Sequence, residues 1–452
     1  MDWPFIVIVS TALIATFALV SVWQRAIERE NTSRNLAAIK DAHSRGKHRA
    51  IAQHPIVQTT LCVGCGTCVE VCPEEEVLGL VNGIAEVING SRCVGHAKCA
   101  QCCPMEAMTV GLGDIALRPD IPILAENLET SLPGVYISGE LGGIALIKHA
   151  INHGVRAIDE IALKFEKESV PRERDVFDVL IVGAGPAGLS ASLRAIEKKL
   201  TYVTITKDDI GGTIRKYPRR KLTLVQTVEI PLYGRLPAGE YEKERLLTLW
   251  EKLIETFKVR VKTKTELLAV ARQGAHYEVK TSAGELRCRC IVLAMGRRGS
   301  PRKLGVPGEE LDKVLYQLFD AATYKNLRIL IVGGGDSAIE AATALANQSG
   351  NTVTIVYRKG EFFRLKSRNE QRIKEYASSG RVKVLFNTEV ERVDPQSVDV
   401  RPSQGGGERL RLPNDFVFVF AGGELPFPLL KGMGIRFGGD SPGKARATAQ
   451  II

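Results

Sequence analysis

Cysteine is nearly absent from most of the chain: of 10, only Cys288 and Cys290 lie outside the stretch from Cys62 to Cys103. Clustering at ligand-like spacing argues against a disulfide framework and favours metal in a reducing compartment. Aromatic residues are also few, 6% of the chain, and the basic residues are scattered through turns with neither an aromatic platform nor a recognition-helix motif. Nucleic acid is therefore set aside as a partner. The net charge of +10 reads instead as partly nucleotide phosphate binding and partly an anionic membrane surface. What is plentiful implies a large folded chain. With 44% apolar residues, 43 glycines among 452 positions and recurring strand-turn-helix signals, the sequence points to α/β architecture in two or three domains.

Charge is missing altogether from Trp3 to Trp23, a run whose only hydroxyls are Ser10, Thr11, Thr16 and Ser21. It is long enough to cross a bilayer as one helix with a tryptophan at each end. A cleaved secretory signal would need a basic start and a small-x-small site, whereas Asp2 precedes the run and no such site follows it. Arg25, Arg29, Arg34, Lys40, Arg45, Lys47 and Arg49 all come after it. The positive-inside rule then predicts a single-pass anchor with the soluble domains in the cytoplasm. Residues 24 to 54 read as a charged helical stalk.

Next comes CVGCGTCVEVCP, with Cys62, Cys65, Cys68, Cys72 and Pro73 in the spacing of bacterial ferredoxins. Three thiolates on a tight loop reach three corners of one cubane, while the fourth is carried to the other cluster. The second copy, CVGHAKCAQCCP, keeps Cys93, Cys99, Cys103 and Pro104 but has His96 where a thiolate is expected. Cys62, Cys65, Cys68 and Cys103 are thus predicted to hold one 4Fe-4S cluster, and Cys72, Cys93 and Cys99 three corners of another. Three arrangements compete at the last corner: His96 ligates, or the site holds a 3Fe-4S cluster with His96 a bystander, or Cys102 moves in. Cys102 is the least suited, because the residue before the fourth cysteine usually points away. A zinc ribbon does not have this spacing.

From Asp178 to Leu189 the chain reads DVLIVGAGPAGL. An apolar run typical of a buried parallel strand breaks into Gly183, Gly185, Pro186, Ala187 and Gly188 and opens a helix. Gly183 permits the tight turn, Gly185 lets a pyrophosphate approach the backbone, and Gly188 allows close helix–strand packing. A second such unit, RILIVGGGDSAIEAA, follows Leu327, with Gly333, Gly335, Asp336, Ser337 and Ala338 at its turn. The strand after the first unit ends without an acid for a ribose; it offers Thr206 instead. The strand after the second also ends without an acid and supplies Arg358, Lys359 and then Arg364. Cations there suit a 2′-phosphate, so NADPH is favoured over NADH.

Residues 130 to 162, with LPGVYISGELGG, resemble the closing segment of thioredoxin-reductase-like flavoproteins of the pyridine nucleotide-disulfide reductase superfamily. The resemblance continues through KDDIGGT, KYPRRKL and VLAMGRRGSPRKLGVPGE. It implies an FAD site that includes Gly139, Glu140 in place of the family's aspartate, Gly211, Gly212 and Thr213 near the flavin, and Gly296. In that family the closing segment is C-terminal, whereas here it precedes the first glycine motif, which implies a circular permutation. The expected fold class is α/β, with two Rossmann-like domains for FAD and NADPH, a small α+β ferredoxin domain and one N-terminal transmembrane helix. The expected boundaries are an anchor at 1–24, a stalk at 25–54, the ferredoxin domain at 55–115, the permuted second half of the FAD domain at 116–168 and its first half at 174–322. An NADPH domain at 323–424 and a return segment and tail at 425–452 complete the chain.

Thioredoxin reductases carry a Cys-x-x-Cys near the second nucleotide site, and none occurs here after residue 103. Cys288 and Cys290, with one residue between them on the strand leading to Val292, are expected to face opposite sides and not to form a dithiol readily. Bacillithiol-disulfide reductases are expected to use a cysteine near the first glycine motif, where Pro186 and Ala187 stand. The expected function is therefore a membrane-tethered NAD(P)H-dependent oxidoreductase passing electrons from FAD through iron-sulfur clusters to an unknown acceptor. A flavin converts between paired and single electrons, so no catalytic side chain is required. Two alternatives stay open: reverse flow from a reduced donor to NADP, and a non-enzymatic redox sensor. Related reductases are commonly homodimers.

Overall fold

The computed structural model describes residues 3–45, 48, 53–112, 118–168, 173, 175–297, 299–363, 365–404 and 408–439. The linker at Pro171, Arg364 and the tail from 440 onward lie outside the described residues. The chain divides into two compact units, one ending at Gly111 and the other running from Leu112.

In the first unit a single helix runs from Trp3 to Ser44 without a break between the apolar run and the charged part that follows. Thr11 and Thr16 return their hydroxyl protons to carbonyls one turn back, so these polar groups are satisfied within the helix. Further along, the charged half lies against a hairpin formed by Leu78–Val81 and Ile84–Val87. Asn35 donates to the Leu80 carbonyl at 2.8 Å, and the Asn82 backbone N–H donates to Thr32 Oγ1 at 3.2 Å. A second antiparallel pair, His54–Val57 with Met108–Gly111, brings the two ends of the cysteine region together. The small core between them consists of Cys68, Val77, Leu78, Ala85, Cys99, Met108 and Val110. Cys62, Cys72, Cys93 and Cys103 pack half-buried against it, as expected where bound metal contributes to folding.

The second unit is built on two parallel sheets. In the first, the strands Val261–Lys262, Tyr202–Ile205, Phe177–Val182 and Gly284–Leu293 lie side by side in that order, and the antiparallel strands His276–Thr281 and Leu267–Gln273 extend it. Val135–Ile137 pairs in parallel with Ile291–Leu293 and so belongs to the same sheet. Val179 and Ile181 enter the core on one face, Leu180 and Val182 the core on the other. Burial on both faces is why these strands read as unbroken apolar runs. Cys288 and Cys290 stand two positions apart on the regularly paired strand Gly284–Leu293, so, against the expectation from the sequence, they point to the same side of the sheet; both are buried.

The second sheet is wholly parallel, with the order Val314–Leu315, Phe416–Val419, Arg328–Val332, Thr352–Tyr357 and Val382–Phe386. An antiparallel three-stranded sheet of Thr388–Asp394, Ser397–Pro402 and Leu410–Pro413 accompanies it. The C-terminal residues return to the first sheet: Leu430, Ile435 and Phe437 are buried in its core, and Phe437 bridges to Pro122.

Candidate functional site

Both cysteine repeats make a left-handed turn at a glycine, Gly64 (φ +68°) and Gly95 (φ +74°), before a short helix. A side chain on Gly64 would stand 2.0 Å from the Gly83 carbonyl, so the first loop is pressed against the hairpin turn. Cys62, Cys65, Cys68 and Cys103 line one concavity with Leu80, Ala85 and Met108. Cys72, Cys93, Cys99 and His96 line a second one. Each therefore draws a ligand from the other repeat. Cys102 is exposed and lines neither.

Among the described residues no three His, Cys, Asp or Glu side chains close on a point as a single metal ion needs. Four sulfurs spread around a hollow suit a multinuclear cluster rather than zinc. Burial raises the Cys99 thiol to about 12 and Cys93 to about 11, and raises Cys68 and Cys72 as well. Filling these sites must therefore expel protons. Cys65 moves the other way, lowered by hydrogen bonds from the Thr67 hydroxyl and backbone.

In the second unit the expected flavin residues converge on the first glycine turn. A Cβ on Gly183 would meet the Ala294 carbonyl at 2.4 Å, and one on Gly188 would meet the Gly183 carbonyl at 1.8 Å. Only glycine fits either place. Gly185 has more room, its nearest neighbour being the Gly212 Cα at 3.9 Å, and it leads into the helix Pro186–Glu197. Pro186 needs no partner for a backbone N–H there, and the helix N-terminus is left for an anion. Gly211 donates its N–H to the Ala184 carbonyl at 2.8 Å, which holds Gly211, Gly212 and Thr213 beside the turn. Gly139 packs on Ala187 from the other side, a Cβ there reaching the Ala187 methyl at 3.1 Å, and Glu140 follows half-buried. Gly296 lies three residues past the strand Gly284–Leu293, with φ +68° and open space beside it.

Thr206 is buried, and its backbone is taken up by the Lys262 carbonyl and the Thr265 N–H. Only its side chain is left for a ribose. Two further residues of the site lie within the segment 130–162 but are not singled out by the sequence. Gly154 lets the helix Ile147–Glu168 cross Pro186–Glu197 closely, since a Cβ would stand 2.2 Å from the Ala187 carbonyl. Ser138, directly before Gly139, has a fully buried hydroxyl with no hydrogen-bond partner. Leaving such a group unmet costs ~1–3 kcal/mol, and a ligand oxygen or amide would meet it. A hydroxyl straight after an apolar strand was the signal available.

At the second glycine turn a Cβ on Gly333 would meet the Phe420 carbonyl at 2.4 Å, and one on Gly334 would enter the Tyr357 ring at 2.6 Å. Gly335 has nothing within 4 Å, so the approach to the helix Asp336–Ala346 is clear. Ser337 is exposed on its first turn, and Ala338 is buried beneath. Asp336 is already engaged, accepting from the Lys366 backbone N–H at 3.1 Å and from Asn369 Nδ2 at 2.7 Å. Arg358 and Lys359 emerge exposed from the end of the strand Thr352–Tyr357, with the Lys359 ammonium over the Phe363 ring.

Two family models match the chain: one described as pyridine nucleotide-disulphide oxidoreductase, over residues 180–444, and one described as 4Fe-4S dicluster domain, over residues 54–104. A ferredoxin-NADP reductase from Ignicoccus hospitalis is 28% identical over 58% of the chain and 82% of its own length. A thioredoxin reductase from Mycolicibacterium smegmatis is 29% identical over 57% of the chain and 79% of its own length. An alkyl hydroperoxide reductase component from Pseudomonas aeruginosa is 29% identical, and there the match spans 48% of the chain and only 40% of the relative. Among solved structures, a bacillithiol disulfide reductase from Bacillus cereus aligns with TM-score 0.50 and 25% identity, covering 57% of the chain and 82% of that structure.

Proposed function

The chain belongs to the pyridine nucleotide-disulphide oxidoreductase family, a family of flavoprotein enzymes, and from that premise we propose that it is a membrane-tethered reductase. In this reading it takes electrons from NADPH and passes them through FAD and two iron-sulfur clusters to an acceptor at the membrane. The observation that carries it is the meeting of seven cysteines and His96 around two hollows, in a chain that also holds two glycine turns open to nucleotide phosphate. A bound flavin supplies the conversion between a hydride's electron pair and single electrons. Gly183, Gly185, Gly188, Gly139, Glu140, Gly212 and Thr206 would hold it. Gly333, Gly335 and Ser337 would hold the nicotinamide nucleotide's pyrophosphate.

Arg358 and Lys359 support NADPH over NADH, since exposed cations at a strand end favour a 2′-phosphate. Disulfide reduction is disfavoured, because Cys288 and Cys290 are both buried and burial pushes the Cys288 thiol up, away from the reactive thiolate. A circular permutation is supported by the strand Val135–Ile137, which lies outside the span matched by the flavoprotein family yet pairs with the sheet at Ile291–Leu293. The tether is supported by the Trp3–Ser44 helix, long and apolar enough to cross a bilayer, and by the basic residues that follow its apolar run.

Anaerobic purification with iron, sulfide and flavin quantified, followed by rapid mixing with NADPH, tests the proposal. Stoichiometric flavin that bleaches on mixing supports it. Iron and sulfide without flavin after gentle purification would leave a redox sensor as the better account.

A further inference from the structure

The two cysteine repeats differ at one functional position, and the hydrogen bonding around it indicates what His96 does. This inference rests on the proposal that iron-sulfur clusters fill the two hollows. Cys62-Val63-Gly64-Cys65-Gly66-Thr67-Cys68 and Cys93-Val94-Gly95-His96-Ala97-Lys98-Cys99 run in parallel. Residues 66 and 97 both adopt the left-handed conformation that opens the short helices Thr67–Glu70 and Lys98–Gln101.

In the first repeat the Cys65 sulfur lies 3.4 Å from Thr67 Oγ1 and accepts from Thr67, two residues on. In the second, His96 Nδ1 accepts the Lys98 backbone N–H at 3.1 Å, again two residues on. Nδ1 has thus taken over the helix-capping hydrogen bond of the sulfur it replaces. The two acceptors are not equivalent. A thiolate has several lone pairs and can accept an N–H while bound to metal, whereas an imidazole nitrogen has one in-plane lone pair, here already used.

With Nδ1 an acceptor, the neutral ring carries its proton on Nε2, which lies 3.9 Å from Cys72 Sγ. Binding iron through Nε2 would require that proton to move to Nδ1. Nδ1–H would then face the Lys98 N–H, donor against donor, with a cap lost at the head of the helix that carries Cys99.

We propose that His96 is not the fourth ligand of the second cluster but a hydrogen-bond donor to its sulfur, directed through Nε2–H at Cys72. The second cluster is then held by three thiolates, Cys72, Cys93 and Cys99, and one corner lacks a protein ligand. Cys102 does not fill it, being exposed and outside the hollow. A donor aimed at a cluster sulfur raises the potential by stabilising the extra electron. His96 is on this account a positioning and tuning residue.

Pulsed EPR on the full-length protein, labelled with 15N only in histidine and poised where the second centre has half-integer spin (reduced for four irons, oxidised for three), tests this without any substitution. The second centre should show weak nitrogen coupling of the hydrogen-bonded kind. Iron and sulfide content should be unchanged in His96→Ala while the potential of the second centre falls, and His96→Gln, which keeps an N–H donor, should recover part of the shift. A strong coupling from a directly bonded nitrogen, or loss of the second centre's iron in His96→Ala with the first centre intact, overturns the inference. A wild-type protein with no second centre at all would instead contradict the two-cluster reading beneath it.

Discussion

The Asn35 side-chain amide donates to the backbone carbonyl of Leu80 at 2.8 Å, and Leu80 is part of the wall of the first cysteine hollow. One hydrogen bond thus joins the long N-terminal helix to the lining of a cluster site. At 1.5 Å per residue, Asn35 lies about 18 Å along the helix from Trp23. If the apolar run is in a bilayer, the helix acts as a rigid strut and keeps the first hollow near the membrane surface. Asn35→Ala should cost ~0.5–1.5 kcal/mol and speed amide hydrogen exchange in the hairpin 78–87 while iron content holds. Unchanged exchange there would mean the helix and hairpin are not coupled.

Gly188 and Gly335 occupy related turns under different constraints. Gly188→Ala drives a methyl to 1.8 Å from the Gly183 carbonyl, so the expected product is a protein purified without flavin and unstable in its second unit. Gly335→Ala meets nothing within 4 Å; the variant should fold and keep its flavin, with a raised KM for NADPH because the methyl obstructs the pyrophosphate. Thermal unfolding, flavin absorbance and steady-state kinetics on the pair separate the two. Loss of flavin from Gly335→Ala would show that the turns have been assigned the wrong cofactors.

Arg358→Ala should raise KM for NADPH by roughly tenfold or more, the loss of one charge-assisted hydrogen bond of ~1.5–3 kcal/mol, and leave KM for NADH nearly unchanged. Lys359→Ala should act in the same direction. An equal effect on both nucleotides would place these cations away from the 2′-phosphate.

His153, on the helix that crosses the first glycine-motif helix, has its pKa lowered to about 4 by burial first and then by the nearby His149 and Arg156. Its folded value is therefore below the ordinary value of about 6.5. The folded state resists protonation while the unfolded chain accepts it. Stability from this group is full above about pH 6.5 and is lost as pH falls toward 4. His153→Gln should flatten the pH dependence of the second unit's denaturation midpoint across that window. A slope equal to wild type would assign the effect to other groups.

Much of this was legible in the sequence because the constraints are local. The spacing of Cys62, Cys65 and Cys68 is set by a loop a few residues long, and the steric demands on Gly183 and Gly188 come from the turn they form. Thr206 and Glu140 were legible as departures for the same reason. Asn35 was not, because its partner is 45 residues away in sequence and one polar residue on a charged helix carries no pattern. Ser138 gave no signal beyond its place after a strand, since its isolation depends on packing from both sides of the sheet. At His96 the sequence supplied the residue, whereas its part in the site depends on which ring nitrogen the Lys98 backbone occupies.

Rapid freeze-quench EPR with parallel flavin absorbance, after anaerobic mixing of the cluster-loaded protein with NADPH, tests the central claim most directly. Flavin bleaching should come first, followed by a reduced-cluster signal that grows as electrons leave the flavin one at a time. Clusters that dithionite reduces but NADPH leaves oxidised, in a sample whose flavin bleaches fully and turns over an added acceptor at the same rate, would contradict the account.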